Sequence, residues 1–273
     1  MKSSKVSKFL VYFFLILGSL IMIFPFLWMF FTSFKTVPES MSIPATIFPS
    51  AFRLDKYKEV LNNLPFVKLY WNTILLVFFR VVCAVAFSSM AGYAFAKLKF
   101  RGKGLLFTVI LVQMSLPSQI FLIPQYQMVA KMGMANTIFA LVFPGIVSAF
   151  GVFFLRQTYM GIPKEIGEAA YLDGCNQWQT FYKVMFPLTG TSVAALTIFT
   201  AVFAYGDLMW PQIVNNDVTQ FTLSAGLATL RGMNTTDFPM LMAGSLLAML
   251  PMIVLYLIFQ RQFVEGIAGT GGK

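Results

Sequence analysis

The residues able to do chemistry in this chain are few, and their types narrow what that chemistry is. Among 273 residues there is no histidine, so no imidazole base or imidazole metal ligand exists. Cys83 and Cys175 fall in segments expected at different depths, which excludes a catalytic pair, a zinc site or a disulfide framework. A phosphate-binding loop needs G-x-x-x-x-G-K and then Ser or Thr. Gly102-Lys103 has Lys97 in the first glycine's place, and Gly272-Lys273 has Ile267 there. No G-x-S-x-G occurs, and no paired carboxylates sit inside an apolar run. No catalytic residue, metal site or cofactor is expected on this chain. What remains suits hydrogen bonding and docking. The candidates are Arg80, alone in an apolar run; Phe203, Tyr205, Asp207 and Trp210 ahead of Pro211; Gln113, Ser115 and Gln119 around Pro117; and Glu168-Ala169-Ala170 with Asp173, Gly174 and Pro187.

The elements that carry these residues follow from composition. The chain is 58% hydrophobic and 11% charged, with mean hydropathy +0.75, whereas a soluble domain carries about 25% charged residues. A soluble globular enzyme is excluded. Runs free of Lys, Arg, Asp and Glu cover 9–34, 104–130, 132–155, 184–206 and 238–260, with 69–96 broken only by Arg80. Each reaches the roughly 20 residues a helix needs to cross the hydrocarbon. The expectation is one all-α, polytopic membrane domain over 1–273, with spans near 9–31, 70–96, 104–124, 137–155, 187–206 and 238–259. Pro124 with 132–136 is expected to make the turn between the third and fourth. The stretch 218–230 is too short to span and is expected on the surface or re-entrant.

Basic residues set the orientation. With the N-terminus inside, the cytosolic face receives twelve basic and four acidic residues, the outer face seven and six. The cluster Lys97, Lys99, Arg101 and Lys103 dominates that asymmetry, so both termini are expected inside. The first apolar run exceeds a signal-peptide core and lacks a small-residue cleavage site, so it reads as a retained helix kinked at Pro25. The lysines lie at helix ends without interleaved aromatics, which points to lipid and not to nucleic acid.

The longest cytosolic stretch, 156–186, is expected to be ordered. Residues 162–174 read as a short helix with proline at the start, early acids and a closing glycine. Ile162, Ile166 and Ala169/Ala170 give it an apolar face with a small-residue middle. Asn176 is a cap for a second piece, with Trp178, Phe181, Tyr182 and Met185 on one side, running into Pro187. Docking into a groove of another protein, with Glu168 bonding a basic partner, is one use; lying on lipid headgroups is the other.

Glu168-Ala169-Ala170, Gly174 and Val184-Met185-Phe186-Pro187 resemble the EAA loop of ABC importer permeases, with Asp173 and Leu188 also in pattern and Thr191 where a proline is often found. Asn72-Thr73, residues 91–96, Phe100-Arg101-Gly102, Ile123-Pro124, Thr222-Leu223, Pro251 and the tail 262–266 resemble the oligosaccharide, MalG-like branch. The resemblance implies a permease subunit in the bacterial cytoplasmic membrane, forming half of a heterodimeric channel with a second permease. It implies a cytosolic ATPase dimer, which carries the ATP and magnesium and grips Glu168, Ala169, Ala170, Asp173, Gly174 and Pro187. An extracytoplasmic sugar-binding protein would deliver maltodextrin- or raffinose-like oligosaccharides, with polyols or glycerol-phosphate esters as the alternative cargo, and the glycine-rich tail 266–273 would reach toward the ATPase. An ion-coupled secondary transporter fits less well, because Arg80 is the sole charge well inside a span.

Two uses stay open for the substrate-path candidates Arg80, Gln113, Tyr205, Asp207 and Trp210. Arg80 at mid-depth must face protein or water: it contacts cargo in a cavity, or donates to carbonyls of a broken helix. The cluster at 203–210 touches sugar, or forms part of the interfacial aromatic belt. Gln113, Ser115 and Gln119 line a cavity or bond across helices.

Overall fold

A computed structural model describes residues 5–231 and 236–268, and all regular structure among them is helical. In chain order the α-helices are α1 (Lys5–Thr32), α2 (Val37–Ser40), α3 (Asp55–Asn63), α4 (Phe66–Lys97), α5 (Lys103–Ser115), α6 (Leu122–Lys131), α7 (Ile138–Val142) and α8 (Ala149–Gly161). There follow α9 (Lys164–Leu172), α10 (Gln177–Gln179), α11 (Phe186–Leu188), α12 (Gly190–Gly206), α13 (Met209–Val214), α14 (Leu223–Ala228) and α15 (Phe238–Ala268). Contacts group the described residues into two compact units, one within 1–66 and 226–253 and the other within 67–225 and 254–273.

In the first unit α1 is apolar on every face, with side chains such as Met22 and Phe9 exposed, as suits a helix surrounded by lipid or another apolar surface. Polar anchoring begins where it ends. Lys35 lies 5.0 Å from the Trp28 ring and donates to the Thr46 carbonyl. Thr36 and Glu39 form a capping box that starts α2, and Phe34 packs against Phe52 and Tyr57. Asp237 starts α15 by accepting from the Met240 amide at 2.9 Å, and it pairs with Lys56 at 2.7 Å. Burial alone would lower the Lys56 pKa, but hydrogen bonds to Asp237 and Glu59 raise it.

The second unit is organised by α4, whose 32 residues cross α8 at very short range. A Cβ on Gly92 would sit 2.9 Å from the Arg156 backbone nitrogen, so only glycine permits this approach. Asn72 donates to the Thr219 and Phe221 carbonyls at 2.9 and 3.0 Å, and Thr73 accepts from the Leu223 amide at 2.9 Å. These bonds pin the start of α14, so much of the stretch 218–230 is ordered and buried around Thr222, Leu223 and Ala225.

The apolar runs are less continuous than expected. Among the described residues α1 and α4 alone are long and apolar enough to cross a bilayer; three pairs bent by 105°, 45° and 78° bring the number to five if each is one span. In α15 the apolar stretch 238–254 is shorter. The run expected as one helix at 104–124 stops at Ser115 and restarts beyond Leu116-Pro117 in a short turn and α6. Between the third and fourth runs the chain does turn at 132–136, where Gly133 and Asn136 adopt φ 68° and 60°, but Pro124 takes no part: it sits in the first turn of α6, where no amide partner is lost. The run at 137–155 is interrupted at Phe143-Pro144-Gly145 and restarts at Ala149, where the Ser148 hydroxyl accepts from the Gly151 amide at 3.0 Å. α8 then continues to Gly161, past the expected end. The fifth run starts at Gly190, after the turn at Thr189, and not at 187. In the tail, the backbone of 262–266 continues α15, while 269–273 lie outside the described residues.

Candidate functional site

α9 is closed by backbone logic. Gly174 adopts φ 82°, a left-handed conformation that side chains disfavour. Its amide donates to the Tyr171 carbonyl, and the Cys175 amide to the Ala170 carbonyl, both at 3.0 Å. That double closure is a Schellman motif. Ile162 and Ile166 pack onto Tyr93, Leu155, Tyr159 and Met185, and Ala170 is buried on the same side. The small-residue face expected to dock elsewhere is therefore divided. Ala170 seats α9 on its own chain, while Glu165, Glu168, Ala169, Leu172 and Asp173 face outward, Leu172 at 89% exposure.

Asn176 caps the next piece as expected: its side chain accepts from the Gln179 amide, and Gln179 answers to the Asn176 amide, both at 2.9 Å. Ahead of Pro187 the chain widens into a π turn over Thr180–Met185, with the Phe186 amide reaching the Phe181 carbonyl five residues back. A proline that cannot donate favours such a local rearrangement. Trp178, Phe181, Tyr182 and Met185 do not share one environment. Phe181 and Met185 turn inward, whereas Trp178 and Tyr182 stay exposed, because the two i,i+4 pairs form neighbouring ridges and one faces the body. Pro187 is exposed beside the 78° bend into α12.

Behind α9 lies a cleft of about 580 Å³ lined by Tyr93, Lys97, Lys164, Glu168, Gln177 and Thr180. Lys97 donates to the Ile162 carbonyl at 2.6 Å.

A second, larger cleft of about 1110 Å³ collects four of the five substrate-path candidates, Arg80, Gln113, Asp207 and Trp210, with Gln119 and Phe203. Its wall is built around the interruption between α7 and α8. Pro144 has no N–H for the Ala140 carbonyl four residues back, and Trp210 supplies one from Nε1 at 2.8 Å. Arg80 Nη2 donates to the neighbouring Leu141 carbonyl at 2.7 Å, and Nη1 donates to Asp207 Oδ2 at 2.8 Å. The guanidinium runs along Gly145, where a Cβ would come within 2.7 Å of Arg80 Cδ. Arg80 thus serves carbonyls of a broken helix and also borders the cleft, so both uses read from sequence meet in one residue.

Tyr205 does not border this cleft; its carbonyl accepts from the Ser224 hydroxyl at 2.8 Å. Nor does Ser115, which donates to its own helix at Leu111. Sequence reasoning treated Arg80 and Asp207 separately and missed the pairing across 127 positions. Two opposite charges, each unsupported in apolar surroundings, were the available signal. The roles of Gly145, Leu141 and Ser148 had none, since they depend on where the helix breaks.

Long apolar helices that enclose clefts lined by amides, hydroxyls and one ion pair are the features of a membrane protein. Residues 84–268 match the family model described as binding-protein-dependent transport system inner membrane component. The chain is 35% identical to the arabinooligosaccharides transport system permease protein AraQ of Halalkalibacterium halodurans, over 93% of this chain and 92% of the relative. It is 27% identical to the lactose transport system permease protein LacG of Rhizobium radiobacter, over 93% and 92%. It is 28% identical to the sn-glycerol-3-phosphate transport system permease protein UgpE of Escherichia coli, over 94% of each. The crystal structure of a bacterial ABC transporter involved in the import of the acidic polysaccharide alginate shares the fold, with TM-score 0.79 at 21% identity over 96% of this chain and 99% of that one. The chain belongs to the family of binding-protein-dependent transport system inner membrane components.

Proposed function

We propose that this chain is one of two permease subunits of an ATP-driven importer of neutral oligosaccharides, of maltodextrin, raffinose or arabinooligosaccharide type. Six crossings place both termini and α9 in the cytosol: α1, α4, the bent pair α5–α6, the pair α7–α8, α12 and α15. A cytosolic ATPase dimer, which holds ATP and magnesium, grips the outward face of α9, and an extracytoplasmic sugar-binding protein delivers cargo to the cleft shared with the second permease. The observation that carries this reading is α9 itself, a helix seated by Ile162, Ile166 and Ala170 that leaves Glu168, Ala169 and Leu172 free for a partner.

Names of relatives favour two cargo chemistries, glycans and a glycerol-phosphate ester. The cleft favours the first. Its charged lining residues are Arg80 and Asp207, which neutralise one another, and the remaining polar lining includes Gln113, Ser118, Gln119, Gln125, Ser148 and Thr200. Amides and hydroxyls match a hydroxyl-rich neutral ligand, whereas a phosphate calls for an unpaired cation.

The test is ATP-dependent uptake of a trisaccharide into proteoliposomes holding this chain, its second permease and the ATPase, with loaded binding protein supplied. Uptake requires every component and ignores an ionophore. Uptake that survives ATP depletion but collapses with the ionophore overturns the reading in favour of an ion-coupled transporter.

A further inference from the structure

The larger cleft contains a full positive charge that does not act as one. Arg80 and Asp207 are its charged lining residues, their atoms 2.8 Å apart, with side-chain exposures of 10% and 22%. The guanidinium is held from three sides: Asp207 takes Nη1, the Leu141 carbonyl takes Nη2, and Gly145 abuts the stem. Nε is buried without a hydrogen-bond partner. Arg80 therefore cannot swing away without abandoning the Leu141 carbonyl, and the charge stays at the wall whether or not Asp207 is charged. Asp207 is held less tightly; among the described residues, beside Arg80, it accepts a long bond, 3.4 Å, from the Trp210 amide.

We infer that Asp207 determines cargo specificity in this cleft, by cancelling the fixed Arg80 charge so that neutral cargo is preferred over anionic cargo. The inference rests on the permease reading above and goes beyond it in naming the residue that sets charge preference. Removing the carboxylate charge while keeping its shape leaves an unopposed guanidinium in low-dielectric surroundings, where one unit charge is worth much more than in water. Removing the arginine charge instead leaves a carboxylate that repels anions. Removing both restores neutrality without the ion pair.

The experiment compares the alditol made by reducing the reducing end of a trisaccharide with the aldonic acid made by oxidising it, two open-ended probes alike in size that differ in a hydroxymethyl group against a carboxylate. Binding to the purified complex in nanodiscs is read by saturation-transfer NMR for wild type, Asp207→Asn, Arg80→Gln and the double variant. The expected result is a shift of the acid-to-neutral affinity ratio by about tenfold toward the acid in Asp207→Asn, a shift the other way in Arg80→Gln, and a ratio near wild type in the double variant. A merely structural pair lowers both affinities together and leaves the ratio unmoved, and that outcome overturns the inference. Should the singles fail to assemble, the double variant and Asp207→Glu still report: a ratio far from wild type in either sinks the idea. Failure of the permease reading looks different, since wild-type complex then binds neither probe.

Discussion

At the scale of single residues, Gly174 and Glu39 show how local geometry becomes measurable behaviour. Gly174 occupies a left-handed backbone position and completes both closing bonds of α9. A Gly174→Val substitution puts a β-branched side chain where φ is 82°, at a cost of about 1–3 kcal/mol to that turn. The expected outcome is normal insertion with several-fold weaker co-purification of the ATPase; unchanged co-purification and uptake refute the coupling role. Glu39 offers a pH test. Slight burial raises its pKa, but the Ser50 and Thr36 amides, with Lys35 nearby, outweigh that and hold it below the reference value of 4.5. A depressed carboxyl contributes stability above its unfolded pKa and loses it as pH falls below that value. Hydrogen exchange at Ser50, whose amide donates to Glu39 at 2.6 Å, should accelerate below about pH 4.5 beyond the intrinsic trend. In a Glu39→Gln variant that extra acceleration should vanish.

At the scale of elements, helix breaks and close crossings decide what each apolar run becomes. The crossing of α4 and α8 leaves no room at Gly92. Gly92→Leu forces the helices apart and should cost about 1–3 kcal/mol, as overpacking does, read as a lower thermal midpoint of the complex in detergent. Met185, 2% exposed among Tyr93, Leu155 and Tyr159, supports α9 from beneath. Met185→Ala should cost about 2–5 kcal/mol and speed hydrogen exchange in α9 more than in α4. Equal protection in both variants and wild type would mean that α9 does not depend on this cluster. The interruption at Pro144 was invisible as a site because its value lies in the carbonyls it strands, and their donors, Trp210 and Arg80, come from distant elements.

At the scale of the whole molecule, orientation is the decisive property, since the outward face of α9 has a role only if it lies in the cytosol. A single cysteine placed at Glu168 in a cysteine-free background should react with an impermeant maleimide in inside-out vesicles, and one at Lys58 in right-side-out cells. The reverse pattern overturns both the topology and the assigned partner. Sequence alone determined the membrane-embedded helical class, because apolar runs of span length need no tertiary contact to be recognised. It also determined the capped helix ending at Gly174 and the family, since those signals lie within short stretches of chain. Only the tertiary structure decided that Ala170 faces inward while Ala169 faces out, that Leu116-Pro117 and Pro144 interrupt the runs, and that Arg80 meets Asp207. Those outcomes depend on which distant groups satisfy a buried carbonyl or charge, and that pairing exists only once the chain has folded.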